Sequence, residues 1–174
     1  MRRARYRLGQ FLSYLWPRPL APLDQAEVAR VLDAGLAQLF RRQTTAEQAH
    51  SLRVMRAIAA GDEAARPELL QAALLHDVGK SVAPLSLTDR ALVVLVRRFA
   101  PAAARRWGAG PVTGLRRPFV TALRHTDWGA DLCAQAGASP QTVALVRRHQ
   151  TPVAAPATPE DEMLVLLQAA DDDN

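Results

Sequence analysis

His76 and Asp77 stand side by side at the end of the apolar run 69–75, with Gly79 and the chain's only lysine, Lys80, directly behind them. An imidazole next to a carboxylate is a poor core pair but a good ligand pair for Mn, Fe, Zn, Co or Mg. Neighbours on a helix point about 100° apart, so both can reach one site only near the end of an element. The chain has four histidines, and the other three, His50, His125 and His149, fall on separate helical patterns on either side of the doublet. Three successive aspartates, Asp171, Asp172 and Asp173, lie near the C-terminus. If these groups converge, the two oxygens of Asp77 can bridge two ions. Two ions ~3.5–4 Å apart hold a hydroxide and clamp a phosphate for in-line attack. The residue types therefore fit a phosphohydrolase using one or two divalent ions. Lys80 has two readings: a contact for the substrate phosphate that stabilises developing negative charge, or a cation closing a helix C-terminus.

The elements that must position these residues read as helices throughout. The chain is rich in Ala and Leu and poor in Ile, Thr, Tyr and Phe, and shows no convincing strand pattern or internal repeat. Asp24, with Glu27 three residues on, marks a helix start; Val28, Val31, Leu32, Leu36, Leu39 and Phe40 continue it at helical spacing. Thr44 or Thr45 opens a helix that carries His50 and stops near Gly61, and Pro67 opens the one that ends in the doublet. Residues 91–99 form a further helix, 108–114 a loop, and 118–125 a helix ending at His125. The polar step Thr126-Asp127-Trp128 then offers a loop placement for that histidine. Residues 130–136, a helix opened by Ser139-Pro140 and running to His149, and a helix over 160–170 complete the pattern.

Length and an apolar fraction of 49% fit one folded domain over residues 23–174, preceded by a basic, aromatic extension over residues 1–22. Neither an 18-residue apolar run nor a signal-peptide core is present. One cysteine, Cys133, rules out an intrachain disulfide, suits a reducing cytoplasm and reads as a small core residue. The net charge of +5 comes from arginine pairs spread over many elements, which favours a solvated surface. Residues 1–20 are the segment suited to peripheral membrane contact.

The order His50, His76-Asp77, Asp171 resembles the HD superfamily of metal-dependent phosphohydrolases. Its signature is a histidine, a His-Asp doublet and a late aspartate. The likeness covers roughly residues 45 to 174. His76-Asp77-Val78-Gly79-Lys80 is similar to the form found in the HDIG and HD-GYP branches, and Leu167-Gln168-Ala169-Ala170-Asp171 to the apolar-Ala-Asp ending. The resemblance implies an all-α HD-type bundle in which His50, His76, Asp77 and Asp171 hold one metal. Asp77 would bridge to a second metal held by His125 and His149, a metal-bound hydroxide would attack, and Lys80 would meet the substrate phosphate. The implied substrate is a nucleotide or related phosphate ester; the alternative is a non-catalytic HD-type module that binds a nucleotide or partner. The Gly-Tyr-Pro element is absent, since the chain reads Gln150-Thr151-Pro152-Val153 after His149. Gln150 also stands where some relatives carry a second histidine, and Asp172 or Asp173 could take the place of Asp171.

Overall fold

The structure, a computed structural model, describes residues 19–61 and 66–174. Nine α-helices and two short 3-10 turns make up its regular structure, with no strand among the described residues. In chain order the helices are α1 (Pro22–Val31), α2 (Ala34–Phe40), α3 (Thr45–Gly61), α4 (Pro67–Leu75), α5 (Leu87–Phe99), α6 (Pro101–Gly108), α7 (Arg117–Gln135), α8 (Pro140–Arg148) and α9 (Pro159–Asp173). The 3-10 turns span Val78–Val82 and Gly114–Arg116. The all-α reading holds. Nearly all of the basic extension lies outside the described residues.

Proline sets the helix starts. Pro22, Pro67, Pro101, Pro118, Pro140 and Pro159 each stand in the first two positions of a helix. There the missing N–H costs nothing and the fixed φ is already helical. Side-chain caps reinforce two of these starts and open α5. Ser86 accepts from the Asp89 amide, Ser139 from Thr142 and Thr158 from Asp161, each at 3.1 Å.

Three boundaries differ from the sequence expectation. The single helix expected from Asp24 to Phe40 is two, because the chain turns extended at Leu32 and Asp33 accepts from the Leu36 amide at 2.9 Å to start α2. Asp24 is not the N-cap of α1; Ala21 is, and its amide donates to the Asp24 carboxylate at 3.3 Å. The break expected after His125 is absent, since α7 runs unbroken through Thr126, Asp127, Trp128 and Gly129. None of those residues forbids helix as proline does. Gly129 serves close packing, because a Cβ there would stand 3.2 Å from the Gly79 nitrogen and 3.3 Å from Val146 Cγ1.

The main core joins α1, α2, α3, α4, α7, α8 and α9 around Leu36, Leu52, Val54, Leu74, Leu145 and Leu164. Cys133 is buried within it, as expected, and burial pushes its thiol up to about 12. A smaller cluster, Val93, Ala104 and Phe119 with Trp107 edge-on to Phe119, joins α5, α6 and the start of α7. Among the described residues no helix is long and apolar enough to cross a membrane.

Candidate metal centre

The buried helix α4 delivers its last residues to the middle of the bundle. Gln43 Nε2 donates to the Leu74 carbonyl at 3.0 Å, satisfying one of the helix's terminal acceptors deep in the core. Ser51 donates in turn to Gln43 Oε1 at 3.3 Å. His76 continues the α4 ladder through its amide, which donates to the Ala72 carbonyl at 2.7 Å. Asp77 then breaks the helix into the 3-10 turn, which re-aims its carboxylate. Thr121 of α7 donates to the Ala83 carbonyl at 3.1 Å and ties the far end of that turn to the helix carrying His125. Gln168 of α9 donates to the carbonyls of His149 and Thr151, at 3.0 and 2.8 Å, and locks α8 to the helix carrying Asp171.

All six residues expected as ligands meet in this centre. They form two groups, His50 with His76 and Asp171, and Asp77 with His125 and His149. Within each group the potential ligand atoms lie within 4.8 Å of one another. His50 Nε2 stands 2.9 Å from Asp171 Oδ1, and His76 Nε2 stands 3.6 Å from the same oxygen. Asp77 turns Oδ2 toward His76 at 3.6 Å and Oδ1 toward His125 at 3.6 Å and His149 at 3.8 Å. Its two oxygens thus face the two groups separately. The imidazoles form a chain, with centroids 5.5 Å apart for His50 and His76, 5.2 Å for His76 and His149, and 5.3 Å for His149 and His125. The register of the C-terminal aspartates is resolved: Asp171 faces the centre, whereas Asp172 and Asp173 are exposed.

The hydrogen bonds of the rings decide what the imidazoles can bind. Nδ1 of His76, His125 and His149 lies 2.9, 3.0 and 2.8 Å from the carbonyls of Ala73, Thr121 and Val146. A carbonyl only accepts, so each Nδ1 carries the hydrogen and each neutral ring presents a lone pair at Nε2. Those three Nε2 atoms are buried and have no hydrogen-bond partner. A buried polar atom without a partner costs about 1–3 kcal/mol, and three pointing into one centre with two carboxylates form a donor set for a divalent cation.

The electrostatics agree. Burial, with smaller contributions from neighbouring cations, pushes His125 down to about 4 and His149 to about 3, so both rings are neutral and ligand-competent at neutral pH. Burial also acts on Asp77, raising it, but Lys80 and the three imidazoles outweigh that and hold it well below the usual carboxylate range. His76 is shifted upward: burial opposes its charged form, yet Asp77 and Asp171 prevail. An imidazole nitrogen facing two carboxylates takes up positive charge, either as a proton or as a metal.

Lys80 Nζ lies 2.5 Å from Asp77 Oδ2, so in this state it partners the carboxylate. The adjacent Arg147-Arg148 pair is also engaged. Arg147 meets Asp127 at 3.2 Å and Asp131 at 2.8 Å, and Arg148 pairs with Glu160 and, at 2.7 Å, with Asp161. A cleft of about 420 Å³ opens onto His149 and Asp171, walled by Arg97, Gln150, Pro152, Gln168 and Asp172. A second cleft of about 560 Å³ shares Arg97 and Gln150 with it and has an apolar floor that includes Val93, Phe119 and Leu123. Sequence reasoning missed Arg97, which no motif marks.

A family model for the HD domain matches residues 48–173. The chain belongs to the HD domain family. No curated protein and no solved structure matches it. HD domains form a superfamily of metal-dependent phosphohydrolases, and the two groups described above are the places in this HD domain that could hold divalent ions.

Proposed function

We propose that this HD domain hydrolyses a nucleotide or related phosphate ester, with His50, His76, Asp77 and Asp171 holding one divalent ion and Asp77, His125 and His149 a second. The observation that carries the reading is the set of three buried Nε2 lone pairs, each fixed by an Nδ1–H bond to its own helix and left without a partner in the protein. When bound, divalent ions supply Lewis acidity and a water activated at neutral pH. The protein's own part is positioning. Asp77 spans both groups. A metal held by Asp77 would compete with Lys80 for that carboxylate, and the Lys80 ammonium, as a point charge, is suited to an anionic phosphate oxygen. Arg97 at the mouth meets the same charge from solvent, and the apolar-floored cleft beside it takes the organic part of the ester. The Gly79-Lys80 ending of the doublet supports a place near the HDIG branch, and Gln150-Thr151-Pro152 after His149 speaks against the HD-GYP activity on cyclic dinucleotides.

Elemental analysis of the purified protein, followed by hydrolysis assays over a nucleotide panel with added Mn²⁺ or Fe²⁺, tests the reading. Bound transition metal and metal-dependent release of phosphate or nucleotide are expected. A protein that binds the ions yet turns over nothing is a binding module, and one that binds none has a different use for its histidines.

A further inference from the structure

Positive charge is not evenly distributed over this chain. From Arg90 to Thr126 it carries eight arginines and no Asp or Glu, so the remainder of the chain is net negative. Two of the eight are used internally: Arg90 pairs with Glu47 and Arg117 with Asp89, both at 2.6 Å. Arg97, Arg98, Arg105, Arg106, Arg116 and Arg124 are exposed and make no ion pair among the described residues.

The same interval exposes apolar side chains. Leu92, Leu95 and Phe99 recur at helical spacing along one stripe of α5, exposed to 37, 55 and 78%. Leu115, in the 3-10 turn Gly114–Arg116, is 85% exposed. Leu92 and Leu115 line one groove of about 410 Å³ together with Val96, Trp107, Arg116 and Phe119, so the stripe and the turn form a continuous face. The Arg98 guanidinium lies 5.8 Å from the centre of the Phe99 ring at its edge. Apolar patches of this kind on a soluble domain mark a binding surface.

We propose that this face docks on an anionic lipid surface, with Leu92, Leu95, Phe99 and Leu115 entering the acyl boundary and Arg98 and Arg116 meeting lipid phosphates. Charge complementarity selects the occupant. A second copy of the chain meeting the same face would oppose arginines to arginines across a two-fold axis. Three of the four exposed apolar side chains of the face are aliphatic and only Phe99 offers a stacking surface, so a bilayer matches its apolar centre and basic fringe better than a nucleic acid does. The contact differs from one through residues 1–20 and is independent of the metal centre.

The test floats the full chain with vesicles of phosphatidylcholine alone and of phosphatidylcholine mixed with phosphatidylglycerol. The protein is expected to bind the mixed vesicles and not the neutral ones. Arg98→Gln with Arg116→Gln should lower the partition coefficient about fivefold per arginine. Leu95→Gln with Phe99→Gln should lower it about tenfold or more. Both pairs are exposed, so circular dichroism should show unchanged helicity. Equal binding by wild type and both double variants overturns the proposal and moves the contact elsewhere. Absence of vesicle binding overturns it as well, as does a face whose substitution instead disperses a dimer or releases single-stranded nucleic acid.

Discussion

Replacing Gly79 by alanine tests how the centre is held together. Gly79 packs so tightly against α7 that an added Cβ would lie 1.9 Å from the His125 carbonyl oxygen, 2.6 Å from the Gly129 nitrogen and 2.8 Å from the His125 carbonyl carbon. All three are backbone atoms, so no side chain can swing aside. Real Cβ contacts are essentially never shorter than 3.0 Å, which requires a separation of at least 1.1 Å between the 3-10 turn and α7. Asp77 lies just before that turn and His125 on the facing helix, at 3.6 Å from each other. Ligand positions tolerate only about 0.2–0.5 Å of error, so the group formed by Asp77, His125 and His149 should open. Overpacking costs about 1–3 kcal/mol, and a backbone clash belongs at the upper end. For a chain of this size that corresponds to a fall in Tm of about 6–12 °C. The group of His50, His76 and Asp171 does not touch this contact, so metal content after Mn²⁺ loading should fall by about one ion per chain and not to zero. Gly61→Ala is the control, because a Cβ there meets nothing within 4 Å. An unchanged melting temperature and metal content for Gly79→Ala would refute the argument.

Asp77→Asn keeps the shape of the side chain and removes its charge from both groups. Metal affinity measured by calorimetry should fall by about 100-fold or more at both sites, with activity lost in parallel; loss at one site alone would contradict the shared role. The metal-free protein should also lose stability as pH falls from about 6.5. His125 and His149 are lowered to about 4 and 3 by burial, so below the unfolded value the unfolded chain binds more protons than the native one. Each contributes a slope of about 1.4 kcal/mol per pH unit at most, present in full above about pH 6.5 and lost as pH falls toward 4. His76, raised rather than lowered, contributes the opposite slope, stabilising as pH falls toward the unfolded value of about 6.5 and adding nothing further well below it. Thermal melts of chelated protein from pH 7 to pH 4 would show this decline, and a flat profile would exclude buried neutral imidazoles.

Helix content and the identity of the converging groups were legible because ligand chemistry demands particular residue types. A buried histidine beside an aspartate has few bland explanations, and the proline and Ser/Thr starts of α4, α8 and α9 place their ends well. The break at Leu32-Asp33 was hidden because apolar spacing continued across it while a cap, not a breaker, made the turn. Thr126-Asp127-Trp128 suggested a loop because local propensity was read without its tertiary partner, the 3-10 turn packed on Gly129. Arg97 and the basic face were missed for the opposite reason. The arginine pairs read as a solvated surface spread over many elements, and the structure shows which of them have no acid partner among the described residues.

The carboxylates of the centre also need compensation from the protein itself. The buried carboxylate of Asp77 and the half-buried one of Asp171 would repel each other and lose hydration. The structure offsets both with its own cations and donors. Lys80 sits on Asp77, His50 bonds Asp171, and His76 lies between them with its pKa raised. Each of these partners is a group that coordination would replace or turn. The residues that neutralise Asp77 and Asp171 are therefore the ones with which a bound ion would compete. That competition would link metal binding to the ion pair of Asp77 with Lys80, the only lysine in the chain.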